Sequence, residues 1–150
     1  MRIGIFETLP ILREKLRSER ILYPYGGKIV AENVRKGSRY DLILSDKDYF
    51  PPSISGLADV FLVPDTASVR SLPERGILLT GGMSQSDSVS FSSIGENEAM
   101  LWVQQEICLN GKSILPFEKK VRFDRNFSLY KNLATGFALS LAQILFTEEL

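Results

Sequence analysis

The sequence of 150 residues has no histidine, one cysteine, one tryptophan and no excess of charge of either sign. Without histidine there is no imidazole to activate a serine or cysteine nucleophile and none to bind a metal ion. One cysteine excludes an intramolecular disulfide framework and a cysteine-rich zinc site. The 18 Lys and Arg residues balance 18 Asp and Glu residues, and we therefore expect no nucleic-acid partner, because proteins that bind nucleic acids usually carry a basic excess.

Long hydrophobic runs are also lacking. No apolar segment approaches the roughly 20 residues of a membrane span, and the first six residues do not form the apolar core of a signal peptide. We therefore expect a cytoplasmic protein with no membrane partner. The chain length and its 44% of apolar residues suit one domain with a substantial core.

The sequence does contain short, continuous apolar segments, which are typical of parallel strands covered on both faces. Strands are predicted at residues 2–6, 21–23, 41–46, 60–63 and 77–80, with a helix after Thr8 and another over residues 28–36. Strands that alternate with helices predict an α/β fold. We expect a single three-layer domain, residues 1–150, whose mostly parallel sheet is Rossmann-like or flavodoxin-like. Residues 1–82 would form its parallel βα core.

Residues 83–150 are predicted to extend this core with the order strand, helix, strand, helix. The strands are expected at residues 89–94 and 113–123, and the helices at residues 96–109 and 128–146. The first of these helices is predicted because Met100, Val103 and Ile107 recur at helical spacing. The same interpretation puts Cys108 on the apolar side of that helix.

The first 52 residues contain an acidic turn after the first strand and an aspartate at the end of a later one. Residues 2–7, Arg-Ile-Gly-Ile-Phe-Glu, and residues 37–46, Gly-Ser-Arg-Tyr-Asp-Leu-Ile-Leu-Ser-Asp, carry these features. This part of the chain resembles a response-regulator receiver domain. The resemblance implies that Asp46 is a phosphoacceptor and that Glu7 and Asp46 hold a magnesium ion. Thr8 stands at the family's second acidic position, and Gly81-Gly82 at that of its lysine.

Polar residues follow several of the predicted strands. Parallel strands end at one edge of a sheet, and ligands bind beyond that edge. The expected ligand-binding residues are Gly81, Gly82, Ser84, Asp46, Asp65 and Thr66. Glycines let backbone amides converge on an anion, and the serine adds a donor. The two aspartates would orient hydroxyl groups or a metal. Alternatively, such residues only cap helices and tighten turns.

Three functions remain open at this point. The leading hypothesis is a small-ligand-binding or regulatory module that recognises an anionic compound, such as a phosphorylated one, at the strand ends. The second is a non-catalytic assembly protein that forms a homo-oligomer through a strand whose serines share one face. These serines are Ser84, Ser86, Ser88, Ser90 and Ser92. The third is a carboxylate–metal hydrolase that uses Asp46, Asp48 and Asp65, with magnesium as its cofactor.

Overall fold

A computed structural model describes residues 1–7, 11–18, 29–46, 57–65 and 76–147. The strands within these ranges are β1 (Arg2–Phe6), β2 (Val30–Asn33), β3 (Tyr40–Ser45), β4 (Ala58–Pro64), β5 (Ile77–Gly81), β6 (Val89–Ile94), β7 (Glu98–Val103), β8 (Ile107–Leu109), β9 (Lys112–Ile114) and β10 (Phe117–Arg122). The helices are α1 (Ile11–Ser18) and α2 (Leu129–Thr147). Eight strands form one sheet in the order β10-β7-β6-β5-β4-β3-β1-β2, whereas β8 and β9 form a separate hairpin.

The sheet is mostly parallel, which confirms the predicted α/β class. Neighbouring strands from β2 across to β6 run in the same direction, whereas β7 is antiparallel to both β6 and β10. The continuous apolar segment of β3 is covered on both faces of the sheet, as its sequence predicts: Leu42, Ile43 and Leu44 are all 0% exposed. The strand predicted at residues 21–23 lies outside the described residues.

The helix predicted over residues 28–36 is wrong for the part that the structure describes. This segment contains β2, which pairs with β1 in parallel. Ile29 and Ala31 are each 3% exposed, whereas Val30 between them is 43% exposed. This alternation is the period of two that a strand requires. Gly37 adopts a positive φ of 81° in the turn before β3.

The second half of the chain does not have the predicted order of strand, helix, strand, helix. Residues 96–109 contain β7 and β8 instead of a helix, and residues 113–123 are divided between β9 and β10. Pro116 lies between these last two strands and has no amide to donate to a ladder, which explains the interruption. The strand at residues 89–94 and the final helix are confirmed as β6 and α2.

The core consists of two clusters on opposite faces of the sheet. The larger contains residues of α1 and α2, such as Leu12, Leu16 and Phe137, packed with strand residues. The smaller contains Tyr40, Ile43, Ala58, Phe61 and Val63. Both described helices therefore pack on the same face. In the described residues, neither helix is long and apolar enough to cross a membrane.

Candidate functional site

The carboxyl edge is the edge of the sheet at which β1, β3, β4 and β5 end. Glu7 follows β1 at this edge, and its side chain is only 1% exposed. Its carboxylate accepts the backbone N–H groups of Leu12 and Arg13, each at 3.0 Å. These amides belong to the first turn of α1 and have no partner within the helix. Glu7 therefore caps α1. Thr8, after which the sequence predicts this helix, lies outside the described residues.

Lys131 joins the two acids that the resemblance paired. Its Nζ lies 3.0 Å from Glu7 Oε2 and 3.7 Å from Asp46 Oδ2, and its side chain is 13% exposed. Asp46 directly follows β3 and is 26% exposed, but its Oδ1 is buried and has no hydrogen-bond partner in the described structure. Glu7 after β1, Asp46 after β3 and Lys131 of α2 thus lie close together. Among the described residues, Asp46 Oδ1 accepts no hydrogen bond.

Tyr130 anchors the start of α2 to the ends of two strands. Its hydroxyl lies within hydrogen-bond distance of the carbonyl oxygens of Ser45 and Leu62, the latter at 3.1 Å. Burial raises the pKa of Tyr130 well above its usual value, and the negative charges of Asp46 and Glu7 raise this pKa further. The phenol therefore remains a neutral donor at physiological pH, and it fixes the position from which Lys131 extends.

Asn132 fixes the same helix from the other side and is 0% exposed. Its Nδ2 donates to the carbonyl of Asp124 at 2.8 Å and to that of Ser128 at 3.0 Å. Its Oδ1 accepts the Asp124 amide at 2.9 Å and the Lys15 ammonium at 3.0 Å. One buried amide therefore orders the chain before α2 and joins it to α1.

The glycine pair lies where β5 ends and the loop to β6 begins. The Gly82 amide donates to Val89 O at 3.1 Å, and the Ser84 amide donates to Asp87 Oδ2 at 2.9 Å. A Cβ at Gly82 would collide with the carboxylates of Asp65 and Asp87. These two amides are therefore engaged, and two acids crowd the position.

The expected ligand set is therefore brought together only in part. The ends of β4 and β5 place Asp65 beside Gly82. A ligand-binding role for Gly81, Gly82 and Ser84 stays a prediction. Thr66 and Asp48 lie outside the described residues.

A magnesium ion between Glu7 and Asp46, as the resemblance implies, does not fit the residues present. Both Glu7 oxygens already accept backbone amides, and the Lys131 ammonium lies where a cation would bridge the acids. No group of three or more Cys, Asp or Glu residues in the described part of the chain could hold a metal ion.

The row of five serines predicted on one strand face is wrong. Ser84, Ser86 and Ser88 precede β6 and lie in the loop after β5. The hydroxyls of Ser84 and Ser86 are 3.0 Å apart. Within β6, a bulge between Phe91 and Ser93 breaks the alternation that would have aligned the remaining serines.

Sequence reasoning identified Glu7 and Asp46 as site candidates but missed Lys131, Tyr130 and Asn132. Each has a partner far along the chain and no local motif marks it: Lys131 lies 124 positions from Glu7, Tyr130 lies 68 from Leu62, and Asn132 lies 117 from Lys15. The one available signal was the predicted final helix, whose start had to lie close to some part of the sheet. The chain has no significant match among family models, curated proteins or solved structures.

Proposed function

We propose that this protein is a small-ligand-binding, regulatory module that binds an anionic, hydroxyl-bearing compound at Lys131 and Asp46. A phosphorylated sugar is a compound of this class. The observation that carries the proposal is an ammonium group beside Asp46, whose Oδ1 is buried and has no hydrogen-bond partner within the described ranges. An ammonium has three N–H donors, and of the described residues Glu7 accepts a hydrogen bond from one of them. A ligand phosphate would accept from Lys131, and a ligand hydroxyl would donate to Asp46 Oδ1.

The local charge explains why the ligand needs hydroxyl groups as well as an anionic group. Two carboxylates face one ammonium at this point. A bare anion would meet excess negative charge, whereas a hydroxyl donor satisfies the Asp46 oxygen whose burial without a partner is unfavourable. This combination favours a phosphorylated polyol over inorganic phosphate.

The position of the residues in the sheet supports the same proposal. Ligands of open α/β sheets bind beyond the carboxyl ends of the strands. The observed order β2-β1-β3-β4-β5 is the order of flavodoxin-like sheets. We further propose that the domain has three layers, because Ile43 and Phe61 are 0% exposed on the face opposite α1 and α2. A cytoplasmic location is part of the proposal, since a chain with one cysteine suits a reducing compartment.

A thermal-shift screen over phosphosugars, nucleotides and inorganic phosphate tests the proposed ligand class. A ligand at 100 times its Kd stabilises the folded state by about 2.7 kcal/mol, which is easily measured. We expect a phosphosugar to raise the unfolding midpoint of the wild type. Lys131→Met and Asp46→Asn should each remove this shift, because each removes one half of the binding pair.

Lys36→Met is the matched control, since Lys36 is exposed in the turn before β3. It should retain the full ligand shift. A ligand that stabilises Lys131→Met as much as the wild type would place the binding site elsewhere, and stabilisation by inorganic phosphate but by no hydroxyl-bearing phosphate would contradict the proposed ligand class.

Self-association is the second candidate function, and the exposed face of the β6–β7–β10 part of the sheet favours it. Ala99, Leu101 and Val103 of β7 are buried towards α2, so Trp102 lies on the opposite face, where it is 40% exposed. A groove of about 550 Å³ on this face is lined in part by Met100 and Lys120.

The charges on this face are balanced, which suits contact with a second copy of the same face. They are Glu98, Glu118, Lys120 and Arg122. Sedimentation tests this candidate function: we expect a dimer for the wild type and a monomer for Trp102→Glu. A wild-type monomer at high concentration would contradict it.

A further inference from the structure

We infer that Lys131 is a built-in cation that replaces a divalent metal ion between two strand-end carboxylates. Glu7 and Asp46 end neighbouring parallel strands, with Phe6 opposite Ser45 in the register of β1 and β3. Two acids in this position repel one another unless a positive charge lies between them. The Lys131 ammonium supplies that charge from α2, 124 residues along the chain from Glu7.

The groups around Glu7 allow it to bind an ammonium group but leave little room for a hydrated divalent ion. The carboxylate is 1% exposed and already accepts two amides of α1 at 3.0 Å each. A hydrated divalent ion would need several oxygen ligands and would keep some of its water. Glu7 has little remaining capacity for such an ion, whereas an ammonium needs one oxygen at 3.0 Å.

Asp46, the second acid, also favours an ammonium group over a divalent ion. Asp46 contributes Oδ2 at 3.7 Å from Nζ, while its Oδ1 is buried and has no hydrogen-bond partner among the described residues. The ammonium already lies beside Oδ2, so a divalent ion between the two acids would have to displace it. The observed arrangement therefore matches a tethered single charge, and we conclude that this edge is assembled without a metal.

This inference concerns the residues of the proposed ligand site but requires no ligand, so an experiment on the ligand-free protein separates the two. Thermal unfolding is measured in EDTA and in millimolar Mn²⁺ or Mg²⁺. The wild-type midpoint should be the same in all three solutions. Lys131→Met should lower the midpoint in EDTA by about 5 °C or more, because two carboxylates then face each other with no cation.

The decisive result is a new response to metal in the variant. Mn²⁺ should restore part of the lost midpoint in Lys131→Met, because removal of the ammonium leaves oxygens of both acids available. In this variant, paramagnetic Mn²⁺ should also broaden the amide resonances of Glu7 and Asp46. The same resonances should stay sharp in the wild type.

Two further variants serve as controls. Lys120→Met removes a lysine that pairs with Glu98 at 2.9 Å, but both side chains are exposed, by 66% and 60%. It should leave the midpoint nearly unchanged and show no response to Mn²⁺. The double variant Lys131→Met/Asp46→Asn should lose the metal response, because one of the two carboxylates is gone.

The opposite results would overturn the inference. Saturable stabilisation of the wild type by Mn²⁺ that Asp46→Asn abolishes would show that a metal binds despite Lys131. If Mn²⁺ does not stabilise Lys131→Met, then Lys131 only forms an ordinary ion pair with the two acids and does not replace a metal ion. If Lys131→Met does not fold, Lys131→Arg replaces it in the test. The arginine keeps the positive charge, so this variant should fold and its midpoint should not change in Mn²⁺. A higher midpoint in Mn²⁺ would count against the inference.

Discussion

At the scale of single residues, the carboxyl edge depends on buried polar groups whose partners come from distant parts of the chain. Tyr130 is such a group, because its hydroxyl reaches the carbonyls of Ser45, the last residue of β3, and Leu62 in β4. A buried hydroxyl without a hydrogen bond is unfavourable, and these two carbonyls supply its acceptors. This contact fixes the start of α2 against the sheet and positions the adjacent Lys131.

Tyr130→Phe should lower the free energy of unfolding by about 1–2 kcal/mol, since it removes a buried hydroxyl that hydrogen-bonds strand carbonyl groups. The pKa of Tyr130 is raised above the usual 10.0 in the folded state. Its contribution to stability is therefore complete below pH 10 and is lost as the pH rises through the folded-state pKa. Urea unfolding at pH 8 and at about pH 10.5 should show a smaller alkaline loss in the variant than in the wild type.

Equal alkaline losses in the two proteins would contradict this account of Tyr130. Phe137→Tyr does not serve as a control, because Phe137 is fully buried in the core and an added hydroxyl would be disruptive there. Tyr40→Phe is the better comparison. Tyr40 also donates a hydrogen bond, to Asn33 O at 3.3 Å, but at the opposite end of β3 from Ser45, so Tyr40→Phe keeps Tyr130 and should keep the wild-type alkaline loss.

The acids of the site could be predicted from the sequence, whereas its cation could not. Glu7 and Asp46 each follow a continuous apolar segment, and strand ends in a parallel sheet share an edge. Lys131 lies in the first turn of a helix with no local relation to either acid. Its role depends on where α2 begins relative to the sheet, which is determined by tertiary packing.

At the scale of helices and strands, the spacing of apolar residues along the sequence decided which predictions of secondary structure were correct. In residues 98–103 the buried residues are Ala99, Leu101 and Val103, a period of two, yet Met100, Val103 and Ile107 also fit helical spacing. Short apolar segments do not distinguish these periods. Pairing with β6 and β10 selects the strand, and β8 then exposes Cys108, which the helical interpretation had placed on an apolar side.

The start of α2 is the element boundary on which the site most depends. Asn132→Ala should lower the free energy of unfolding by about 2–4 kcal/mol, because it leaves the Asp124 backbone and the Lys15 ammonium without their buried partner. Denaturant unfolding gives this value. Asn126→Ala is the matched control in the adjacent exposed turn and should change stability by less than about 0.5 kcal/mol.

Asn132→Ala should also weaken the contact between Lys131 and Glu7. Amide exchange of Leu12 and Arg13, which donate to Glu7, should therefore accelerate in Asn132→Ala. Unchanged exchange there, together with the loss of stability, would show that Asn132 supports only the 124–128 loop.

At the scale of the whole molecule, the parallel part of the sheet could be predicted, but its continuation could not. The apolar segments of β1, β3 and β4 gave the correct class because each has consecutive buried residues, and β5, with a partly buried apolar segment, follows the same pattern. The antiparallel strands β7 and β10 depend on pairing across the chain, and only Asn110-Gly111, which forms the β8–β9 turn with positive φ at both residues, was a local signal there. The sequence predicted a helix where the sheet continues.

One sheet passes through both halves of the chain, and α2 contacts strands of both, which predicts a single cooperative unfolding transition. The only tryptophan, Trp102, lies in β7 and reports on the second half, whereas far-ultraviolet circular dichroism reports on all elements. The two signals should give the same denaturant midpoint. Phe61→Ala in β4 removes a fully buried side chain of the first half and should cost about 3–5 kcal/mol.

Because β5 pairs with β6, and the Tyr130 hydroxyl of α2 lies 3.1 Å from Leu62 O of β4, the two halves share one sheet and are joined through α2. Phe61→Ala should therefore lower the tryptophan midpoint and the circular dichroism midpoint by the same amount. Exposed Lys36→Met should move neither. A tryptophan transition that stays at the wild-type denaturant concentration while the circular dichroism midpoint falls would show two separately stable units, because the loss in β4 would then not reach β7.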